Sequence, residues 1–278
     1  MNQRLVSFSL AGACALGLLF ACVPADQLPP GSIPGAGGTT NASSFPDIEG
    51  GTAFGSTHFD AKGYIDADVH DVSNLSETLY TKIINDFGIY NAMAGGKFTL
   101  TIYRDQTEYQ AKTHQPAWSR AIAAGSGIYT YDNPDLKAPL AHQMAHLVMN
   151  AYLAEKANNF KWLVEGIAMF EEVSQMGDSD RAEFQSSMIS NLRNQRQGFS
   201  QMTFFTPMSE ENRRTDVWYQ EVESVVSYLV AQGGGQPFGN MLSELKNGAD
   251  IDKALADSYP AKFRSLNDLE TAWKMTVQ

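Results

Sequence analysis

The chain has 278 residues, 31 acidic and 20 basic, and a formal net charge of −11. That balance, with no basic stripe, excludes electrostatic binding of nucleic acid and argues against docking onto anionic lipid headgroups. The length is ample for one substantial core. Both cysteines, Cys14 and Cys22, lie near the N-terminus, so the folded body has neither a disulfide nor a thiolate metal ligand.

In chain order, Arg4 precedes an uncharged apolar run from Leu5 to Phe20. The run is too short to span a bilayer and reads as a targeting segment removed on export. Leu19-Phe20-Ala21-Cys22 resembles a bacterial lipobox, in which the cysteine becomes the lipidated first residue. Cleavage before Cys14 would leave half the apolar run on the mature protein, and ordinary signal cleavage nearby is the other alternative. The lipobox reading implies a signal peptide over 1–21, lipidation at Cys22 and a lipid-anchored place in the bacterial cell envelope. Val23, not Asp, follows Cys22, which by resemblance to enterobacterial sorting favours the outer membrane, facing either the periplasm or the surface. Residues 22–56 are rich in Pro, Gly, Ser, Thr and Ala and read as a flexible tether. Residues 57–278 read as one domain.

Within that domain, Asn74 and Glu77 have capping-box spacing. They predict an amphipathic helix through Leu75, Leu79, Ile83, Ile84 and Phe87, ended by Gly88 and the Ala94-Gly95-Gly96 turn. Phe98–Tyr103 alternates and predicts a strand; Gly127–Tyr131 predicts a second, ended by Asp132-Asn133-Pro134. A helix starts near Pro139, a residue suited to a first turn, and runs to about Lys156. Further helices are predicted over 159–176, 179–197, 215–232, 237–246, 251–258 and 266–275, punctuated by Gly177, Gly198, Gly233 to Gly235 and Gly248. Ser265 and Asp268 predict the cap of the last. His58, His70 and His114 lack partner spacing and read as surface residues.

The chemistry concentrates in His142-Gln143-Met144-Ala145-His146. Two histidines four apart share one helix face and can offer two imidazole nitrogens to one metal ion. A catalytic zinc site takes three protein ligands and keeps a fourth position for water. Eighteen residues separate His146 from Glu165, which sits in Lys161-Trp162-Leu163-Val164-Glu165-Gly166-Ile167-Ala168-Met169-Phe170 and supplies a third candidate. Glu172, seven residues later, lies on the same face of that helix. It can accept the second N–H of a metal-bound histidine, or else be a solvated charge beside Glu171.

This two-part pattern resembles the gluzincin zinc metallopeptidases, and most closely their peptidase MA-like families. Those carry H-E-x-x-H, about eighteen residues, then a W-L-x-E-G-x-A-x-[YF] helix. The resemblance implies an α+β fold: a small gluzincin-like (zincin) domain with a short N-terminal sheet and a mostly helical C-terminal half. It implies one zinc ion held by His142, His146 and Glu165. It also implies a peptide or protein lying extended on a sheet edge, matched here to Gly125–Tyr131. Val217-Trp218-Tyr219 through Leu229, and Leu269-Glu270-Thr271-Ala272-Trp273, resemble later family signatures. By that likeness Tyr219 is the candidate oxyanion stabiliser, the alternative being an aromatic packed in the core.

The departure is Gln143, which occupies the position of the family's general base. An amide cannot take a proton from water at neutral pH. The expected function is therefore a zinc-binding pseudopeptidase. The alternatives are an active peptidase using another carboxylate, such as Glu171, and a metal-free protein that binds a peptide or partner.

Overall fold

A computed structural model of the chain describes residues 45–93, 96–203 and 212–277. The leader, Cys22, most of the tether and the Ala94-Gly95 part of the expected turn lie outside the described residues. Five short strands form one sheet: β1 (Thr52–Gly55), β2 (Phe59–Gly63), β3 (Phe98–Tyr103), β4 (Ala121–Ala124) and β5 (Gly127–Tyr131), in the order β1-β2-β3-β5-β4. β2, β3 and β5 run parallel, while β1 and β4 are antiparallel to their neighbours. α1 (Asp66–Asp86) links β2 to β3, and α2 (Gln106–Thr113) lies between β3 and β4.

Period-2 alternation gives the sheet two apolar faces. Phe59, Ala61, Phe98, Leu100, Ile102, Ala121 and Ile128 join the main core under the helices. Tyr103, Ile122, Tyr129 and Tyr131 face the other way and pack with Phe45, Ile48 and Tyr109. The Tyr103 hydroxyl donates to the carbonyl of Pro46 at 2.6 Å. The segment read as tether thus contributes Phe45, Ile48 and strand β1 to the folded body. Its Gly-rich composition hid two buried apolar anchors.

α1 begins at Asp66, eight residues before Asn74. Val69 and Val72 extend the buried stripe back from Leu79 and Ile83, and Asp66 and Asp68 complement the positive end of the helix dipole. Glu77 does not cap the helix. It reaches the β1–β2 turn, accepting from Ser56 Oγ (2.6 Å) and His58 N–H (2.6 Å) and meeting His58 Nδ1 at 2.5 Å. His58 is accordingly a half-buried, bonded residue and not a loose surface one.

The helical half follows: α3 (Lys137–Leu153), a 3₁₀ segment (Ala154–Phe160), α4 (Lys161–Gln175), α5 (Asp178–Gln195), α6 (Phe199–Met202), α7 (Asn212–Ala231), α8 (Gly235–Lys246), α9 (Ile251–Ser258) and α10 (Leu266–Lys274). The Ser265 hydroxyl caps α10 by accepting from Asp268 N–H at 3.2 Å. The fold is α+β, a small sheet followed by helices, as expected for a small zincin-like domain. Among the described residues, no helix is long and apolar enough to cross a membrane.

α7 carries two buried carboxylates. Burial pushes Glu221 from its ordinary 4.5 up to about 8, although it accepts from the Gln197 N–H. Burial likewise pushes Glu223 up to about 7, against the bond it accepts from the Ser227 hydroxyl. Both hold protons in the folded chain over a range where the unfolded chain has released them. Their contribution to stability is therefore complete below the ordinary carboxylate range and is lost as pH rises through about 7 to 8. The Tm should fall more steeply from about pH 5 to about pH 9 in wild type than in Glu221→Gln/Glu223→Gln. Parallel slopes in calorimetry would contradict this.

Candidate metal centre

α3 and α4 pack extensively against each other and carry the centre between them. α3 is enclosed along most of its length: Leu140, Ala141, Met144, Ala145, Leu147, Val148 and Met149 are all buried. Pro139 falls in its first turn, where a backbone N–H has no intrahelical partner. α4 is fixed from its other side by α7. A methyl group placed on Gly166 would lie 2.6 Å from the Val222 carbonyl oxygen and 2.7 Å from Val226 Cγ2. The residue beside Glu165 is glycine because two helix backbones meet there.

This packing brings His142, His146 and Glu165 together. One ligand atom from each lies within 4.8 Å of the others. His142 Nε2 and His146 Nε2 are 3.1 Å apart, and Glu165 Oε2 is 3.3 Å from His146 Nε2 and 3.9 Å from His142 Nε2. A tetrahedral zinc ion with bonds near 2.0–2.1 Å separates its ligand atoms by about 3.3 Å, so the three atoms fit one ion with small adjustments. The donor set, two imidazoles and a carboxylate, also suits zinc.

Glu172 joins them from the same face of α4. The Nδ1–H of His142 donates to Glu172 Oε2 at 2.7 Å, and both side chains are buried. Burial alone would lower the His142 pKa, but the bond and charge of Glu172 outweigh it and hold the pKa above its ordinary value. In the neutral imidazole with its proton on Nδ1, the Nε2 lone pair faces His146 and Glu165. Of the two readings of Glu172, solvated charge or partner of His142, the geometry favours the partner.

Gln143 is buried, and its Oε1 accepts from the backbone N–H of Ala123 in β4 at 2.8 Å. Glu171 points elsewhere. It is buried against α1, 2.8 Å from Lys82 Nζ, and burial pushes its pKa up to about 7. A carboxylate tied to α1 in this way is not placed to replace a base on α3. Tyr219 is buried on α7, edge-on to Trp218, one turn before the Val222 carbonyl that meets Gly166.

The edge strand was misread from sequence. β5 lies between β3 and β4, so the sheet ends on β4 (Ala121–Ala124) and not on Gly125–Tyr131. β4 is short and alanine-rich and gives little strand signal. The signal that was there is the two-residue Gly125-Ser126 loop, closing the Ala124–Gly127 pair with Gly125 at φ +58°. That is hairpin chemistry.

Residues 97–278 match the family model of the Peptidase MA superfamily, and the chain belongs to that superfamily, whose members are typically zinc-dependent. No curated protein matches the chain.

Gly166→Ala should cost about 1–3 kcal/mol, because backbone and not a flexible side chain blocks the methyl group. Denaturant unfolding of the two proteins would measure it, and an unchanged midpoint would contradict the close approach of α4 to α7.

Proposed function

We propose that this member of the Peptidase MA superfamily is a membrane-tethered, zinc-binding pseudopeptidase, with hydrolysis impaired by Gln143. In this reading His142, His146 and Glu165 hold the ion, and Glu172 orients His142. When bound, zinc supplies Lewis acidity and lowers the pKa of a coordinated water. Tyr219 is the residue proposed to stabilise a developing oxyanion. A peptide or an extended protein segment is proposed to lie along β4, the sheet edge that contacts α3.

The observation that carries the reading is the environment of Gln143. Its side chain is buried and bonded to the edge strand at 2.8 Å. An amide there can accept a hydrogen bond but has no basic site for a proton at neutral pH. Of the three carboxylates of α4, Glu165 lies against the two histidines, Glu172 against His142 and Glu171 against Lys82. Each is committed to a contact other than general base.

Gln143→Glu should raise chelator-sensitive cleavage of a broad peptide library by about 10²-fold or more, the scale of a restored general base. Zinc content per chain, measured on both proteins, separates loss of chemistry from loss of metal. Strong chelator-sensitive cleavage by wild type would overturn the pseudopeptidase reading.

The tether reading rests on Leu19-Phe20-Ala21-Cys22. Stable anchoring needs more than one acyl chain, which bacterial lipidation supplies at a single cysteine. Cys22→Ser should leave the membrane fraction and stop incorporating labelled fatty acid. Retention and labelling equal to wild type would contradict the anchor.

A further inference from the structure

The side of β4 turned away from β5 already has hydrogen-bond partners within the chain. Antiparallel pairing alternates: at one residue the main-chain N–H and C=O face the partner strand, and at the next they face away. β4 pairs Ala121 with Thr130, Ile122 with Tyr129, Ala123 with Ile128 and Ala124 with Gly127. The Ala123 N–H donates to Gln143 and not to β5. By the alternation, the outward-facing main-chain groups of β4 belong to Ala121 and Ala123. Ala121 is fully buried and Ala123 half-buried, so an added strand would reach the Ala123 groups first.

Two of these outward groups have intramolecular partners. Gln143 Oε1 accepts from the Ala123 N–H at 2.8 Å. The Ala121 carbonyl accepts from Ser119 Oγ at 3.3 Å, a long bond. Gln143 makes the shorter contact and is fixed on the enclosed helix α3, between the edge strand and the histidines. A primary amide offers the same C=O acceptor as a peptide group. At Ala123 it stands where the carbonyl of a paired peptide would stand.

We propose that Gln143 is a latch on the edge strand. It competes with an extended ligand for the Ala123 N–H, so a peptide pairs fully with β4 only when the Gln143 side chain swings off that donor. This rests on the reading of β4 as the peptide-docking edge. The latch weakens pairing for every peptide alike, because it acts on main chain, and it couples occupancy of the edge to the residue adjoining His142. Glu at this position would grip the same N–H more firmly, since a charged acceptor makes a stronger bond. Met, of similar length and with no comparable acceptor, would release it.

The test uses wild type, Gln143→Met and Gln143→Glu, each stripped of metal so that no variant cleaves the peptide it binds. A pooled library of N-acetylated, C-amidated octapeptides is passed over each immobilised protein, and retained peptides are remeasured singly by calorimetry. Removing one net hydrogen bond from the competition should tighten binding by about three- to tenfold in Gln143→Met. Gln143→Glu should bind no tighter than wild type. Hydrogen exchange at the Ala123 amide should be slow in wild type and faster in Gln143→Met. It should slow again when peptide binds, with the amides of α3 unchanged throughout to show an intact helix. Equal affinities for wild type and Gln143→Met, with peptide bound to both, would overturn the latch alone. Failure of all three proteins to retain any peptide would overturn the docking edge and the latch with it.

Discussion

The bond from His142 Nδ1 to Glu172, buried between α3 and α4, is the constraint on which the rest of the centre depends. A carboxylate with little exposure needs a partner, and so does a buried imidazole. Together they satisfy each other, fix the imidazole's tautomer and set the rotation of α4 relative to α3. Glu165, two turns earlier on α4, then comes to the Nε2 atoms of both histidines. The residue before Glu172, Glu171, is bonded to Lys82 of α1, and Gly166 seats α7. Three neighbouring helices thus hold α4 through adjacent or nearly adjacent residues. A site built on such packing is held more tightly than one built on loops.

Gln143 has two consequences that follow from one functional group. As an amide it has no basic site for a proton, which in the proposed function removes the step of water activation. As an acceptor it holds the Ala123 N–H of β4. The first property is visible in the sequence alone. The second needed the location of β4, because a one-residue change of register in that strand would turn the Ala123 N–H toward β5 instead.

What was legible in the sequence follows the strength of the local signal. The helices of the C-terminal half other than the four-residue α6 were readable because apolar periodicity, Gly punctuation and the Ser265 cap agree, and their boundaries fall within about three residues of those expected. β3 and β5 were readable from alternating β-branched and aromatic residues. β1, β2 and β4 were not: Thr-Ala-Phe-Gly, Phe-Asp-Ala-Lys-Gly and Ala-Ile-Ala-Ala carry little intrinsic strand preference and form because neighbours pair with them. Asn74 and Glu77 matched a capping box by spacing, yet the same spacing recurs inside any amphipathic helix. Only Val69 and Val72 reveal that the stripe starts earlier. At the site, the spacing of His142, His146 and Glu165 was informative because three residues on two rigid helices must converge. The partners of Gln143 and Glu171 come from distant elements, β4 and α1, and no local pattern encodes such contacts.

In the proposed centre, α3 and α4 place two imidazoles and one carboxylate around a single zinc ion. Anomalous diffraction at the zinc edge, from crystals of protein stripped of metal and reloaded, tests it most directly. The account predicts one strong peak bonded to His142 Nε2, His146 Nε2 and a Glu165 carboxylate oxygen at about 2.0–2.2 Å, with Glu172 still on His142 Nδ1. A reloaded crystal with no peak there, or with zinc bound only elsewhere, would contradict it.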